Sequence, residues 1–170
     1  MVLGDVMYKG YIVAKNRSNY KRLPGDKEKN HVNNCRLCEM IKSKEATVME
    51  TKDMIVVINQ HPYNVGHVMI IPRRHVKDPR ELNTDESKNM YSIINKMMTV
   101  IEKTYPIHGF NIGLNLGNTA GSTYEHLHMQ VVPRWLGDIG FMESTANTKI
   151  IKESPEDTIR KLKETIEKKS

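Results

Sequence analysis

The segment HLHMQVV, residues 126–132, alternates polar and apolar side chains and constrains the local structure more than any other stretch. In a β-strand, residues two positions apart lie on the same face, so His126, His128 and Gln130 share one face. Each polar group buried without a partner costs roughly 1–3 kcal/mol, so this face needs partners or a ligand. The pattern predicts a strand that ends at Pro133 and presents a binding or catalytic site. A solvent-facing edge strand with incidental histidines is the alternative.

Hydrophobic patterning elsewhere predicts an α+β fold built on an antiparallel sheet of about five strands. Two β-rich runs flank a turn at residues 51–53, and the apolar run Val68–Ile71 is followed directly by a proline, as expected for a buried strand. Apolar residues recur at helical spacing from Met90 to Ile101, which predicts one long helix with Thr84 as its cap. Two further strands and a charged C-terminal helix complete the expected fold.

Length and charge limit the class of protein. A chain of 170 residues is long enough for one domain with a substantial core. We expect a basic N-terminal arm over residues 1–33 and a single domain over residues 34–170. No apolar run reaches the roughly 20 residues of a membrane span and no signal peptide is visible, so we expect a cytoplasmic protein without a membrane partner. The net charge of +6 favours anionic partners, although a solvated Lys/Glu surface gives the same balance.

The loop that precedes the histidine segment, residues 116–125, is rich in small residues. Small residues such as Gly121 let backbone N–H groups approach an anion, and the hydroxyls of Ser122 and Thr123 add donors. A glycine-rich turn is a weak signal by itself. Directly before two histidines, it indicates the phosphate-binding loop of a phosphoryl or nucleotidyl transfer site.

Two separated motifs resemble the histidine-triad (HIT) family. The family signature is His-φ-His-φ-His-φ-φ, where φ is apolar, and HLHMQVV matches it with Gln130 in place of the third histidine. Upstream, NQHPYNVGHVMIIPRRH, residues 59–75, resembles the family's Asn-to-Gly-His-apolar-Pro segment. The resemblance covers roughly residues 35–142 and implies a HIT-like fold. Residues 113–142 are most similar to the branch that includes diadenosine tetraphosphate (Ap4A) phosphorylases.

The resemblance implies roles for individual residues. His128 would attack the α-phosphorus and carry the nucleotidyl group, which suits an imidazole that is neutral near pH 7. Gln130 would donate an amide N–H to a non-bridging phosphate oxygen. For His67, a packed histidine behind the catalytic strand is as good an interpretation as ligand contact. Residues at family positions that line the nucleotide and its phosphates are Asn59, His67, Asn115, Gly121, Ser122 and Thr123.

The two cysteines, Cys35 and Cys38, form a C-x-x-C pair that must be explained together. Two thiolates need two more ligands for a tetrahedral zinc site, and several histidines lie in or beside the predicted strands. The resemblance selects His75 and His126, which implies a structural zinc on Cys35, Cys38, His75 and His126. A redox pair is the competing interpretation.

The glutamine bears on the reaction catalysed. A neutral amide cannot shuttle a proton, so it assists incoming water less than an acceptor that is already an anion. We therefore expect a nucleotidyl transferase that converts Ap4A and phosphate to ADP and ATP. The alternatives are hydrolysis of a dinucleoside polyphosphate or a nucleoside phosphoramidate, and a nucleotide- or nucleic-acid-binding module with weak catalysis. Nucleic acid is not the favoured partner, and a homodimer is expected from the resemblance alone.

Overall fold

The computed structural model describes residues 35–138 and 151–168. The arm predicted over residues 1–33 therefore lies outside the described residues. The described part confirms the α+β prediction, with a five-stranded antiparallel sheet, one long helix and a C-terminal helix. In chain order the elements are α1 (Arg36–Ser43), β1 (Thr47–Glu50), β2 (Met54–Ile58), β3 (Val68–Pro72), a 3₁₀ turn (Pro79–Glu81), α2 (Thr84–Thr104), β4 (Gly109–Leu114), a 3₁₀ turn (Asn118–Ala120), β5 (Met129–Arg134) and α3 (Pro155–Glu167).

The strand order in the sheet is β1-β2-β3-β5-β4, so β5 lies between β3 and β4. Ile70 of β3 pairs with Met129 of β5, and Leu114 of β4 pairs with the same Met129. The end of β3, the end of β4 and the start of β5 consequently lie next to one another, at the same end of the sheet.

Each face of the sheet has its own apolar cluster. Met129 and Val131 of β5 belong to the larger cluster, which also contains the apolar residues of α2 and Leu162 of α3. Met69 and Ile71 of β3 belong to a smaller cluster with Leu37 and Met40 of α1. Because side chains alternate along β5, Gln130 lies on the face that α1 covers.

Strand β5 differs from the prediction at both ends. It begins at Met129, after the two histidines, and it continues through Pro133 instead of stopping there. β3 pairs with β5 only as far as Val131, so no β3 residue requires an N–H donor from Pro133. The carbonyl of Pro133 accepts a 2.8 Å hydrogen bond from Asn64 Nδ2 instead.

The long helix α2 begins one residue earlier than a Thr84 cap would require, since Thr84 is its first residue. Asn83 is the N-cap: its side chain accepts from the N–H of Glu86 at 2.8 Å, and the Glu86 carboxylate accepts from the N–H of Asn83 at 2.9 Å. Arg74 donates to the same carboxylate, which lies buried beneath the helix start. Among the helices of the described ranges, none is long and apolar enough to cross a bilayer.

Candidate active site and metal centre

The histidine segment and the end of β4 lie where the end of β3 meets the start of β5, whereas Asn59 and His67 lie beside the start of β3. His126 and His128 directly precede β5, and the N–H of Leu127 between them donates to the carbonyl of Val76 at 2.7 Å. This bond fixes the histidine segment against the chain that follows β3. The histidines therefore keep the alternation that the sequence predicts, although neither is within a strand.

His128 is buried, with 6% of its surface exposed, and its ring orientation is set by the backbone. Its Nδ1 lies 2.9 Å from the carbonyl oxygen of His126. A carbonyl only accepts, so Nδ1 carries the proton and Nε2 carries the lone pair. Burial lowers the pKa of His128 against the opposing effect of this hydrogen bond. The ring is thus neutral at pH 7, with Nε2 available as a nucleophile.

His67 lies behind this site and is fully buried. Its Nδ1 accepts from the N–H of Tyr63 at 3.1 Å, and the two rings stack at a centroid distance of 5.1 Å. Burial lowers the pKa of His67 to about 4, the Gln130 side chain opposes that shift, and the charge of His128 adds to it. These contacts favour the interpretation of His67 as a packed histidine behind the catalytic segment.

The glycine-rich loop adopts conformations that only glycine takes readily at two positions. Gly117 and Gly121 have φ angles of 77° and 83°. A side chain at Gly121 would meet Asn115 Nδ2 at 3.9 Å, so these two predicted residues are neighbours. Ser122 is buried and its hydroxyl donates to the Tyr124 carbonyl at 2.5 Å. Its donor is thus engaged within the loop.

Thr123 and Asn59 occupy the margins of the site. Thr123 is exposed. Asn59 follows β2, and its N–H donates to the carbonyl of His67 at 3.0 Å. Its side-chain oxygen accepts from the N–H of His61 at 2.9 Å, which stabilises the turn after β2.

Four side chains from three parts of the chain form a potential metal centre. The donor atoms of Cys35, Cys38, His75 and His126 all lie within 4.8 Å of one another. Cys38 Sγ is 3.3 Å from His75 Nδ1 and 3.4 Å from His126 Nδ1. Ligands on a tetrahedral zinc are about 3.3–3.8 Å apart, given bonds of roughly 2.0–2.3 Å. The cluster therefore has the donor types and nearly the spacing of a zinc site.

The surroundings of the cluster fit a cation. His126 Nε2 donates to the carbonyl of Pro72 at 2.9 Å, which directs the unprotonated Nδ1 towards the two sulfurs. Burial lowers the pKa of His126 to about 4, so its ring is neutral. Burial, and then the charge of Cys35, raise the pKa of the Cys38 thiol to about 11. A bound cation reverses that preference and holds the sulfur as thiolate.

Some contacts of the site carry no signal in the sequence. The carbonyls of Pro72 and His126 orient the two site histidines, and backbone groups leave no residue signature. The Tyr124 ring meets His128 edge-on at 5.9 Å. Lys77 and Glu125 form an ion pair beside His126, and their 48-residue separation gave no reason to connect them.

The comparisons with known proteins agree with this geometry. The HIT domain family model matches residues 41–135, more than half of the chain. The chain belongs to the HIT family.

Two curated relatives are similar to parts of the chain. The AP-4-A phosphorylase of Mycobacterium tuberculosis is 42% identical over 116 residues, covering 68% of this chain and 60% of the relative. The asymmetrical bis(5'-nucleosyl)-tetraphosphatase of Schizosaccharomyces pombe is 34% identical over 88 residues, covering 52% of this chain and 48% of the relative. The chain thus matches only about half to three-fifths of the length of these relatives.

A solved structure supports the fold. A zinc-bound histidine triad family protein from Mycobacterium smegmatis superposes with a TM-score of 0.66 at 22% identity, covering 79% of this chain and 94% of that chain. The likeness confirms the HIT-like architecture.

Proposed function

We propose that the protein is a nucleotidyl transferase that cleaves dinucleoside polyphosphates through a covalent nucleotidyl intermediate on His128. The favoured reaction converts Ap4A and phosphate to ADP and ATP. One observation carries the proposal: His128 is buried, its Nδ1 proton is held by the His126 carbonyl at 2.9 Å, and Nε2 is left as the nucleophile. The name of the M. tuberculosis relative supports this choice of substrate.

The chemistry proceeds in two displacements at one phosphorus. His128 Nε2 attacks the α-phosphorus of Ap4A, a P–N bond forms, and the P–O bond to the departing ATP breaks. The resulting imidazolium keeps its Nδ1–H on the His126 carbonyl, which stabilises the positive charge. An oxygen of inorganic phosphate then attacks the same phosphorus, the P–N bond breaks, and ADP is released with neutral His128.

Gln130 is proposed to donate an amide N–H to a non-bridging oxygen of the transferred group. Its cross-strand neighbour on β4 is Gly113, and a side chain at Gly113 would meet nothing within 4 Å. The surface beside Gln130 is therefore open. Gln130 has no proton to exchange with water, which supports an anionic acceptor.

The remaining predicted contacts are assigned to the nucleotide. Gly121 and Asn115, which lie side by side, are proposed to contact the phosphates through backbone N–H and amide groups. Thr123 is proposed to add its exposed hydroxyl, while Ser122 acts through its backbone because its own hydroxyl is engaged. Asn59 is proposed to lie near the ribose, with His67 supporting Gln130 from behind.

Zinc is the metal proposed for Cys35, Cys38, His75 and His126, since two sulfur and two imidazole donors match its preference. Four protein ligands leave zinc no open position, so its role is structural. The convergence of two histidines on both cysteines supports this assignment over a redox pair.

A product assay with phosphate as the variable tests the proposed reaction. Purified full-length protein is incubated with Ap4A, with and without inorganic phosphate, and nucleotides are separated by ion-exchange chromatography. The expected result is ADP and ATP in equal amounts, at a rate that depends on phosphate. AMP and ATP formed at an undiminished rate in the presence of phosphate would instead establish hydrolysis, the reaction class that the name of the S. pombe relative favours.

We also propose that residues 34–170 form one domain and that the protein is a homodimer. β4 is the last strand of the sheet in the described part of the chain, and Ile112 on it is 40% exposed. An exposed strand edge with an apolar side chain favours pairing with a second copy.

A further inference from the structure

A cavity of about 230 Å³ lies beside the metal centre. Asn115 and Ser122 of the glycine-rich loop line it, and so does His126. Of all the residues that line this cavity, Lys77 alone has a permanently positive side chain and Glu125 alone a negative one. A lysine at the wall of this cavity is an anion-binding group that the two proposed displacements do not use.

Contacts of the Lys77 side chain and of the backbone around it hold Lys77 in this place, including a hydrogen bond from its own N–H to Glu81 Oε1 at 3.2 Å. Its Nζ lies 2.6 Å from Glu125 Oε2. The hydrogen bond from Leu127 to Val76 joins the two chain segments next to this ion pair. The side chains of Lys77 and Glu125 are 53% and 37% exposed, and an ion pair so exposed adds little to stability. Stability therefore does not explain why these charges meet at the cavity.

We propose that Lys77 binds a phosphate group other than the one His128 attacks, and that Glu125 holds the ammonium at the cavity until the phosphate replaces it. This deepens the proposed function and rests on it. Inorganic phosphate carries close to two negative charges near pH 7, and the polyphosphate of the substrate carries one negative charge on each phosphate, so either competes with one carboxylate for a lysine. The side-chain amide of Asn115 lines the same cavity and provides a neutral donor.

Two sources could supply this phosphate group. One is inorganic phosphate, the acceptor of the second displacement. The other is a phosphate of the dinucleoside polyphosphate beyond the attacked phosphorus. Both present the same chemistry to Lys77, so kinetics must separate them.

Binding is measured first, because it needs no turnover. Inorganic phosphate and inorganic tripolyphosphate are titrated into the full-length protein by calorimetry at low ionic strength. We expect Lys77→Met to weaken binding of at least one probe about tenfold, the loss typical of a charge-assisted contact. Lys96→Met is the matched control, because Lys96 is exposed on α2 and does not line the cavity. Affinities of Lys77→Met equal to those of the control would overturn the proposal.

A second pair of variants excludes an indirect effect. Lys77→Met leaves the Glu125 carboxylate without its lysine, and that charge alone would repel an anion. Glu125→Gln is expected to bind the probe more tightly than the wild type, because Lys77 is then free of its competitor. Lys77→Met/Glu125→Gln is expected to bind about tenfold more weakly than Glu125→Gln. Equal affinity of these two variants would show that Lys77 makes no contact with phosphate.

Kinetics then identify the source. A raised KM for phosphate in Lys77→Met assigns the cavity to the acceptor, and a raised KM for Ap4A assigns it to the polyphosphate of the substrate. If neither KM differs from that of Lys96→Met, the inference is wrong. If the wild type binds phosphate through Lys77 but transfers no nucleotidyl group, the proposed function fails while the binding site stands.

Discussion

At the scale of single residues, backbone carbonyls decide what each histidine can do. The carbonyl of Pro72 accepts a hydrogen bond from Nε2–H of His126, and the carbonyl of His126 accepts one from Nδ1–H of His128. The first histidine therefore presents Nδ1 to the cysteines, and the second keeps the lone pair on Nε2. Two imidazoles only two positions apart have opposite tautomers and separate tasks.

The first prediction concerns the nucleophile. His128→Ala removes the only atom proposed to bond to phosphorus, so conversion of Ap4A should fall on the order of 10³-fold or more. The measurement is nucleotide release under saturating phosphate, with thermal melting to confirm folding. His108→Ala, a change at an exposed histidine before β4, serves as the control and should retain wild-type activity. A His128→Ala protein with near-normal turnover would contradict the covalent mechanism.

The second prediction concerns stability and pH through His67. Its pKa is about 4 in the folded chain, against 6.5 for an ordinary histidine. Between these values the unfolded chain binds more protons, so the free energy of unfolding should fall as the pH drops from 6.5 to 4. The contribution of this residue is at most about 3 kcal/mol.

Urea unfolding at several pH values between 4 and 7.5, at constant metal content, measures this dependence. His67→Asn keeps an acceptor near the Tyr63 N–H but cannot titrate, so its stability should vary less with pH over this range. His126 also has a lowered pKa, and part of the slope should remain. An unchanged slope in His67→Asn would show that His67 does not contribute.

At the scale of elements, α1 joins the metal centre to the smaller apolar cluster. Cys35 is the N-cap residue of α1 and Cys38 lies in its first turn. Leu37 and Met40 of the same helix are buried against the sheet. The helix is thus held by apolar packing on one side and by its two sulfur donors on another.

The third prediction follows from this double attachment. Cys35→Ser/Cys38→Ser should contain no zinc, against one zinc per chain in the wild type, by elemental analysis. Its melting temperature should fall by about 10 °C, since a bound metal stabilises only the folded chain. A chelator should lower the melting temperature of the wild type and leave that of the variant unchanged. Equal metal content in both proteins would refute the site.

At the scale of the whole molecule, the free edge of β4 is the feature that bears on assembly. β4 pairs with β5 on one side, and no described strand pairs with its other side. Burying Ile112 against a second copy would remove apolar surface from water and satisfy the strand's outward backbone groups.

The fourth prediction tests that edge. Ile112→Lys should shift the protein from dimer to monomer in size-exclusion chromatography with light scattering, because a lysine at the strand edge opposes pairing. Leu136→Lys makes a similar change at a side chain that is 80% exposed beyond β5, and it should remain dimeric. A wild-type monomer at high concentration would exclude the proposed dimer.

Local pattern was enough for most of the fold and for part of the site. Alternation at residues 126–132 gave the polar face and helical spacing gave α2, while the C-x-x-C pair indicated a metal site whose two histidines came from the family resemblance. The first two signals each lie within one continuous segment of the chain, and the choice of the two metal-binding histidines depends on the family signature. The strand boundary was missed, because Pro133 is tolerated only beyond the last residue pair between β3 and β5, and the position of that pair depends on the register between strands.

The sequence by itself determined which residue types occupy the site and on which face of the chain they lie, because side-chain alternation is a property of the extended backbone. Only the tertiary structure decided which nitrogen of each histidine carries the lone pair, and that the Ser122 hydroxyl donates to a carbonyl of its own loop. It also decided that Lys77 forms an ion pair with Glu125 at a cavity. The bonds from Ser122 to the Tyr124 carbonyl and from His128 to the His126 carbonyl are local, but they depend on a backbone conformation that residue types alone do not specify. The tautomer of His126 and the Lys77–Glu125 pair depend on contacts between residues far apart in the chain, which exist only once the sheet has brought the chain after β3 next to the start of β5.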